Sequence, residues 1–192
     1  MRGAQDVLAG QNIPRDDLLP AGQHAFERQL QRFGARQILG AGDSELDAIR
    51  ARRIGMVFQD PMQALNPSMR IGDQMKEVLT VHRGMSSEEA EERCIQMLER
   101  VYMPDAANVM RRFPHQISGG QQQRVAIARA IVTEPAVLLA DEPTGNLDSA
   151  RSREIMELLR VLNHNQGISI VMVTHELDMA AYATRIVGFM DG

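Results

Sequence analysis

Three short apolar runs stand out along the chain. They are Ile54-Gly55-Met56-Val57-Phe58, Val137-Leu138-Leu139-Ala140 and Ile168 to Val173, and each gives way to polar or charged residues. Continuous runs of aliphatic and β-branched residues, without alternation, predict strands of a parallel sheet covered on both faces. Arg185 to Met190 predicts one more short strand. Between the runs, apolar residues recur at helical spacing. Leu46 and Ile49 mark a helix over Gly42 to Arg53, and Ile71 to Met103 is helical in pattern, with Ile95, Leu98 and Val101 on one stripe. Gly120 to Thr133 predicts a helix stopped by Pro135, and Ala150 to Asn165 predicts another, carrying Ile155, Leu158, Leu159 and Leu162 on one face. Cap residues sit where these helices should begin: Asp43 or Ser44, Ser86 with Glu88 and Glu89 behind it, Ser118, and Asp148-Ser149. Met1 to Gln37 shows no clear period, beyond a helical turn or two at His24 to Phe33. Strands interleaved with helices predict an α/β fold.

The polar residues that end the runs carry the candidate chemistry. Val137 to Ala140 ends in Asp141-Glu142, and ligands of open α/β sheets bind at the carboxyl ends of the strands. Two adjacent carboxylates there suit metal-assisted phosphoryl transfer: Asp141 holds Mg²⁺ and Glu142 orients or deprotonates the attacking water. The plain alternative is an acidic turn after a strand. Ser118-Gly119-Gly120-Gln121-Gln122 is a polar turn running into a helix, and the exposed N–H groups behind Ser118 suit a phosphate. Gln59 follows the first run and His175 the third; taken alone, either is more often structural.

Composition sets the class. The 192 residues suffice for one domain with a core, and 44% hydrophobic with 24% charged residues is an ordinary globular balance. A net charge of −4 gives no sign of a nucleic-acid surface. The lone Cys94 excludes a disulfide framework and predicts a buried thiol. No run approaches the length of a membrane-spanning helix, and the first residues lack the apolar core of a signal peptide, so a cytosolic protein is expected. Met75, Met85, Met97, Met103 and Met110 make one region methionine-rich, which predicts core packing before a partner-gripping face.

Taken together, ISGGQQQRVAIARAIVTEPAVLLADEPTGNLD (Ile117 to Asp148), with Gln59 upstream and His175 downstream, resembles the nucleotide-binding subunit of an ATP-binding cassette (ABC) transporter. Ser118 to Gln122 resemble the family signature, Val137 to Glu142 its Walker B strand, Asn146 to Asp148 its D-loop, Gln59 its Q-loop glutamine and His175 its switch histidine. Asp60 to Pro67 is similar to oligopeptide-type importers, whereas Asp141 to Asp148 is similar to lipoprotein-release and macrolide-export subunits. The resemblance covers about Ile38 to Gly192 and leaves residues 1–37 unassigned. It implies a P-loop-NTPase-like α/β core, with a helical subdomain at about 64–128 inserted between Gln59 and the signature. It implies ATP and Mg²⁺ as cofactors: Glu142, His175 and Gln59 at the attacking water, Asp141 and Gln59 on the metal. Ser118, Gly119, Gly120, Gln121, Gln122 and Asp148 would face nucleotide across a head-to-tail dimer. The helical subdomain would dock on transmembrane permease subunits, which places the protein on the cytoplasmic face of the cell membrane.

One family element is not recognisable. The phosphate cradle G-x-x-x-x-G-K-[ST] belongs near Asp6 to Leu30, yet no two of the 15 glycines stand five positions apart, and the only lysine, Lys76, lies downstream of Gln59. Phe26 and Phe33 are adenine-stacking candidates by residue type only. Family members also continue beyond Gly192. Slow turnover is therefore expected, and the competing reading is a truncated or frame-disrupted, non-catalytic cassette acting at most as a dimerisation or docking module. An ABC ATPase of DNA repair or translation would bring long coiled-coil or paired-cassette segments, and the sequence has neither.

Overall fold

The computed structural model describes residues 42–188. The chain divides into two units, Met1–Asp43 and Ser44–Gly192. The second unit holds the sheet and nearly all of the described helices. The unassigned residues 1–37, with the helical turn at His24 to Phe33 and the two phenylalanines, lie outside the described residues.

Helix α1 (Asp43–Arg53) leads into strand β1 (Ile54–Val57). A short helix α2 (Pro61–Ala64) follows, started by Asp60, whose carboxylate accepts from the Met62 N–H. The expected helical stretch then forms as two helices, α3 (Ile71–Arg83) and α4 (Ser87–Arg100). Gly84, at φ 67°, terminates α3 in the left-handed conformation that glycine adopts without penalty. Ser86 caps α4 and Glu89 closes the box back onto the Ser86 N–H. A single turn, α5 (Ala106–Val109), and a 3₁₀ turn at Pro114–Gln116 lead to α6 (Gly119–Ile131). Strand β2 (Val137–Asp141), helix α7 (Ser149–Gln166), strand β3 (Ser169–Val173) and a last turn, α8 (Leu177–Ala180), complete the described chain.

The sheet is parallel in the order β1-β2-β3, with Val57 opposite Ala140 and Asp141 opposite Val173. This brings the three carboxyl ends, and the polar residues following them, to one edge. Gly55, Val57, Leu138 and Ala140 point to the buried face. There α6 lies so close to β1 that a Cβ on Gly55 would collide with the Ala130 carbonyl. On the opposite face Met56 is 45% exposed and, in register with it through Leu139, Val171 is 55% exposed. No described helix covers that row.

The sequence predicts a strand over Arg185 to Met190. Residues 185–188 instead run irregularly, and 189 and 190 lie outside the described residues. Ile186 and Val187 are exposed, and β-branched residues make a strand only when a neighbouring ladder gives them something to pair with.

The core takes in the helices as well as the sheet. Met75, Met97, Met103 and Met110 are buried with Leu98, Ile127, Leu158 and Leu162, so the methionines pack the interior as expected. Cys94 is wholly buried, and loss of hydration pushes its thiol up to about 12. Lys76 is engaged on α3, paired with Asp73 at 3.8 Å and Glu91 at 3.5 Å.

Candidate active site

Parallel pairing of β2 with both neighbours sets Gln59, Glu142 and His175 at the same edge of the sheet. β2 delivers Asp141 and Glu142. The Glu142 N–H donates to the Val173 carbonyl at 2.9 Å, which fixes the turn off β2 against the end of β3. Glu142 holds φ at 41°, in the left-handed region that side chains disfavour. Its carboxylate is the hub. Gln59 Nε2 donates to Oε2 at 2.8 Å, and His175 Nδ1 meets Oε1 at 2.6 Å. The three residues expected to act on the attacking water are therefore assembled, across 83 and 33 positions of sequence.

Since Gln59 uses its Nε2 on Glu142, its side-chain Oε1 is left to face a cation or a water. Asp141 is exposed at the β2 end and in register with Val173. The donors offered here are hard oxygens, which Mg²⁺ prefers, and Mg²⁺ usually takes one or two protein oxygens and completes its shell with water and substrate phosphates. Among the described residues no group of three or more His, Cys, Asp or Glu side chains is placed to hold a metal, and a phosphate-borne Mg²⁺ needs none. The residues present fit the ion.

The hydrogen bond that the Glu142 carboxylate accepts, and then its negative charge, raise the His175 pKa above the ordinary 6.5. The sign follows from linkage: with the folded value raised, the pair's stabilisation is full below the ordinary pKa and fades as pH rises through the raised one. We expect NMR titration of His175 to give a midpoint above that of an exposed histidine, and Glu142→Gln to bring it back down. Identical midpoints in the two proteins would show that the pair does not form in solution.

Two residues outside the expected set shape this cluster. A Cβ on Gly145 would lie 3.3 Å from both Gln59 Nε2 and Glu142 Oε2, so only glycine leaves the pair its full room. Asn146 Nδ2 donates to the Gln59 backbone carbonyl at 3.3 Å, tying the turn after Pro143 to the turn after β1. Gly145 gives no sequence signal beyond its place in a Thr-Gly-Asn turn.

The signature residues form a separate constellation at the start of α6. Gln121 Oε1 accepts from the Ser118 N–H at 3.0 Å, and Gln122 Nε2 donates to the carbonyls of Pro114 at 2.9 Å and Ile117 at 3.2 Å. The glutamines thus brace the turn, while Ser118 and Gly119 remain exposed and Gly120 half-buried. Ser118, Gly120, Gln121, Arg124, Arg151 and Glu154 line a cavity of about 130 Å³. Asp148 is the N-cap of α7: its Oδ1 accepts from the Ala150 and Arg151 N–H groups at 3.1 and 3.0 Å, and the Arg151 N–H above all holds its carboxyl below the usual range. Arg151 also pairs with Asp148 at 3.5 Å and lies against Gly120. The structure thus assembles the trio around Glu142 and leaves the signature and Asp148 outside it.

The sequence profile of the ABC transporter family matches residues 27–145. The oligopeptide transport ATP-binding protein OppD of Salmonella typhimurium is 47% identical over 149 residues, 78% of this chain and 44% of that protein. OppD of Bacillus subtilis is 38% identical over 173 residues, 90% of this chain and 48% of its own length. The chain thus spans about half the length of the curated relatives it matches. Among solved structures, the dimeric MJ0796, a bacterial ABC transporter cassette, superposes with a TM-score of 0.64 at 40% identity, covering 74% of this chain and 60% of that one. A second structure of MJ0796, in a post-hydrolysis state bound to ADP and Pi, aligns with the same score. A family model matched over more than half of the chain, together with a relative 47% identical over 78% of it, shows the family: the chain is a member of the ABC transporter family.

Proposed function

We propose that this chain is the ATP-hydrolysing subunit of an ABC importer of the oligopeptide type. The observation that carries the reading is the Glu142 carboxylate held between Gln59 and His175 at the carboxyl edge of a parallel sheet. Glu142 takes a proton from the attacking water, or aligns it, and Gln59 fixes the carboxylate rotamer. His175 keeps Nδ1 on Glu142 and so turns its other ring nitrogen outward, toward a terminal phosphate. Asp141 and the Gln59 side-chain oxygen would hold Mg²⁺, which would supply charge neutralisation on the phosphates. Ser118 and Gly120, with the exposed N–H groups of α6, receive the terminal phosphate of nucleotide held by a second, head-to-tail copy, and Asp148 lies along that interface. Helices α3 and α4 dock on permease subunits, with the protein on the cytoplasmic face of the membrane. Among the described residues no helix is long and apolar enough to cross a membrane.

Similarity to an oligopeptide transport ATP-binding protein favours this reading over a non-catalytic docking module. Titration calorimetry of the chain with Mg-ATP tests it. Saturable binding is the expected result. A chain that is folded by circular dichroism yet takes up no Mg-ATP overturns the reading in favour of the docking module.

A further inference from the structure

Gln123 lies on the buried stripe of α6, in line with Ile127 and Ile131 at successive turns. All three are essentially inaccessible: Gln123 is 1% exposed, Ile127 0% and Ile131 1%. An aliphatic side chain is the default at such a position, and a primary amide is tolerated there only if it is hydrogen-bonded. Gln123 Nε2 donates at 2.7 Å to the carbonyl of Pro143, itself buried, the residue next to Glu142. Around this bond the backbone makes a tight turn. The Gly145 N–H returns to the Glu142 carbonyl at 3.0 Å and the Leu147 N–H to the Thr144 carbonyl at 3.0 Å, while Glu142 stays at φ 41°. A residue in that conformation persists only where its surroundings over-determine it. Gln59, Asn146 and His175 hold the turn from the exposed side, and Gln123 holds it from the core.

We infer that Gln123 is a positioning residue: its buried amide clamps the Pro143 carbonyl and so keeps the Glu142 carboxylate between Gln59 and His175. The inference rests on the reading of Glu142 as the group that acts on the attacking water. Without the donor, the Pro143 carbonyl must rotate to find another partner. That rotation turns the Pro143–Thr144 peptide and opens the turn that the Gly145 N–H closes on the Glu142 carbonyl, which releases the left-handed φ of Glu142 and swings its carboxylate away from its two partners. The signature helix then stays in place, because its apolar stripe is unchanged.

The test uses Gln123→Met, which keeps length and volume but donates nothing, and Gln123→Leu as a second variant. Far-UV circular dichroism and a cooperative melt identify which of them folds. A crystal structure of a folded variant should show α6 unmoved, the Glu142 carboxylate out of hydrogen-bonding reach of Gln59 and His175, and Glu142 no longer at positive φ. A Glu142 carboxylate in its original place overturns the inference. Failure of both variants to fold also overturns it, since the amide would then be a folding requirement. In a chain that turns over Mg-ATP, kcat should fall about tenfold to a hundredfold with KM little changed, as expected for a displacement of about 1 Å at the reacting group. Unchanged kcat would sink the positioning role while leaving the hydrolytic reading intact. Conversely, a wild-type chain without turnover, together with a displaced carboxylate in the variant, would leave the positioning intact and remove the hydrolytic reading.

Discussion

Glu142→Gln is expected to reduce Mg-ATP turnover by on the order of 10²–10⁴-fold, the range that a positioned general base contributes. The amide is isosteric with the carboxylate, so the turn after β2 and its backbone bond to Val173 should survive. What disappears is the proton acceptor and the negative charge facing His175 at 2.6 Å. Gln59 Nε2, now 2.8 Å from Glu142 Oε2, can still find an oxygen on the new side chain, so the local fold should hold. Nucleotide affinity should change little, because Glu142 is assigned to the water and the phosphates are assigned to other groups. Steady-state phosphate release, with Mg-ATP binding measured in parallel, separates the two effects. Turnover equal to that of the wild type would show that hydrolysis in the preparation comes from elsewhere.

Gly55→Ala should have the largest effect on stability. Gly55 sits in β1 on the buried face, opposite Leu138. Its missing side chain is what lets the Ala130 backbone of α6 approach, and an added Cβ would also lie 3.1 Å from Leu138 Cδ1. The neighbour that must yield is main chain, so the helix itself has to retreat from the sheet. Overpacking of this kind destabilises by about 1–3 kcal/mol, and more where backbone must shift. That is a sizeable share of the roughly 5–15 kcal/mol by which domains are stable. Urea melts of the two proteins would measure it; coincident midpoints would mean that α6 and β1 are less tightly joined than the structure shows.

Much of this was legible because it is local. The three apolar runs became strands within a residue of their expected ends, and α7 began at the cap that Asp148 announces. Ser86 and Glu89 likewise wrote the start of α4 into four residues. Gln59, Glu142 and His175 could be nominated from their places after the runs, and the parallel pairing then brought them together. What stayed hidden depends on distant partners. The exposed row of Met56 and Val171, which no helix among the described residues crosses, reads in sequence like any apolar strand, since cover depends on which helices lie across it. The left-handed Glu142 has no local signature, because a non-glycine residue adopts that conformation under external constraint. Gln123 is one more glutamine in Gln121-Gln122-Gln123 until α6 is rolled so that it alone of the three is fully buried.

The backbone at Glu142 also bears on how this sequence would drift under artificial selection. A left-handed conformation at a non-glycine residue costs about 1–2 kcal/mol, and glycine removes that penalty, with asparagine relieving part of it. A mutant library sorted for heat resistance alone should therefore enrich Gly or Asn at position 142, and each round of enrichment would discard the carboxylate. The same library sorted for ATP turnover should return Glu142 in nearly every survivor. Position 142 is thus where robustness and activity pull the sequence in opposite directions.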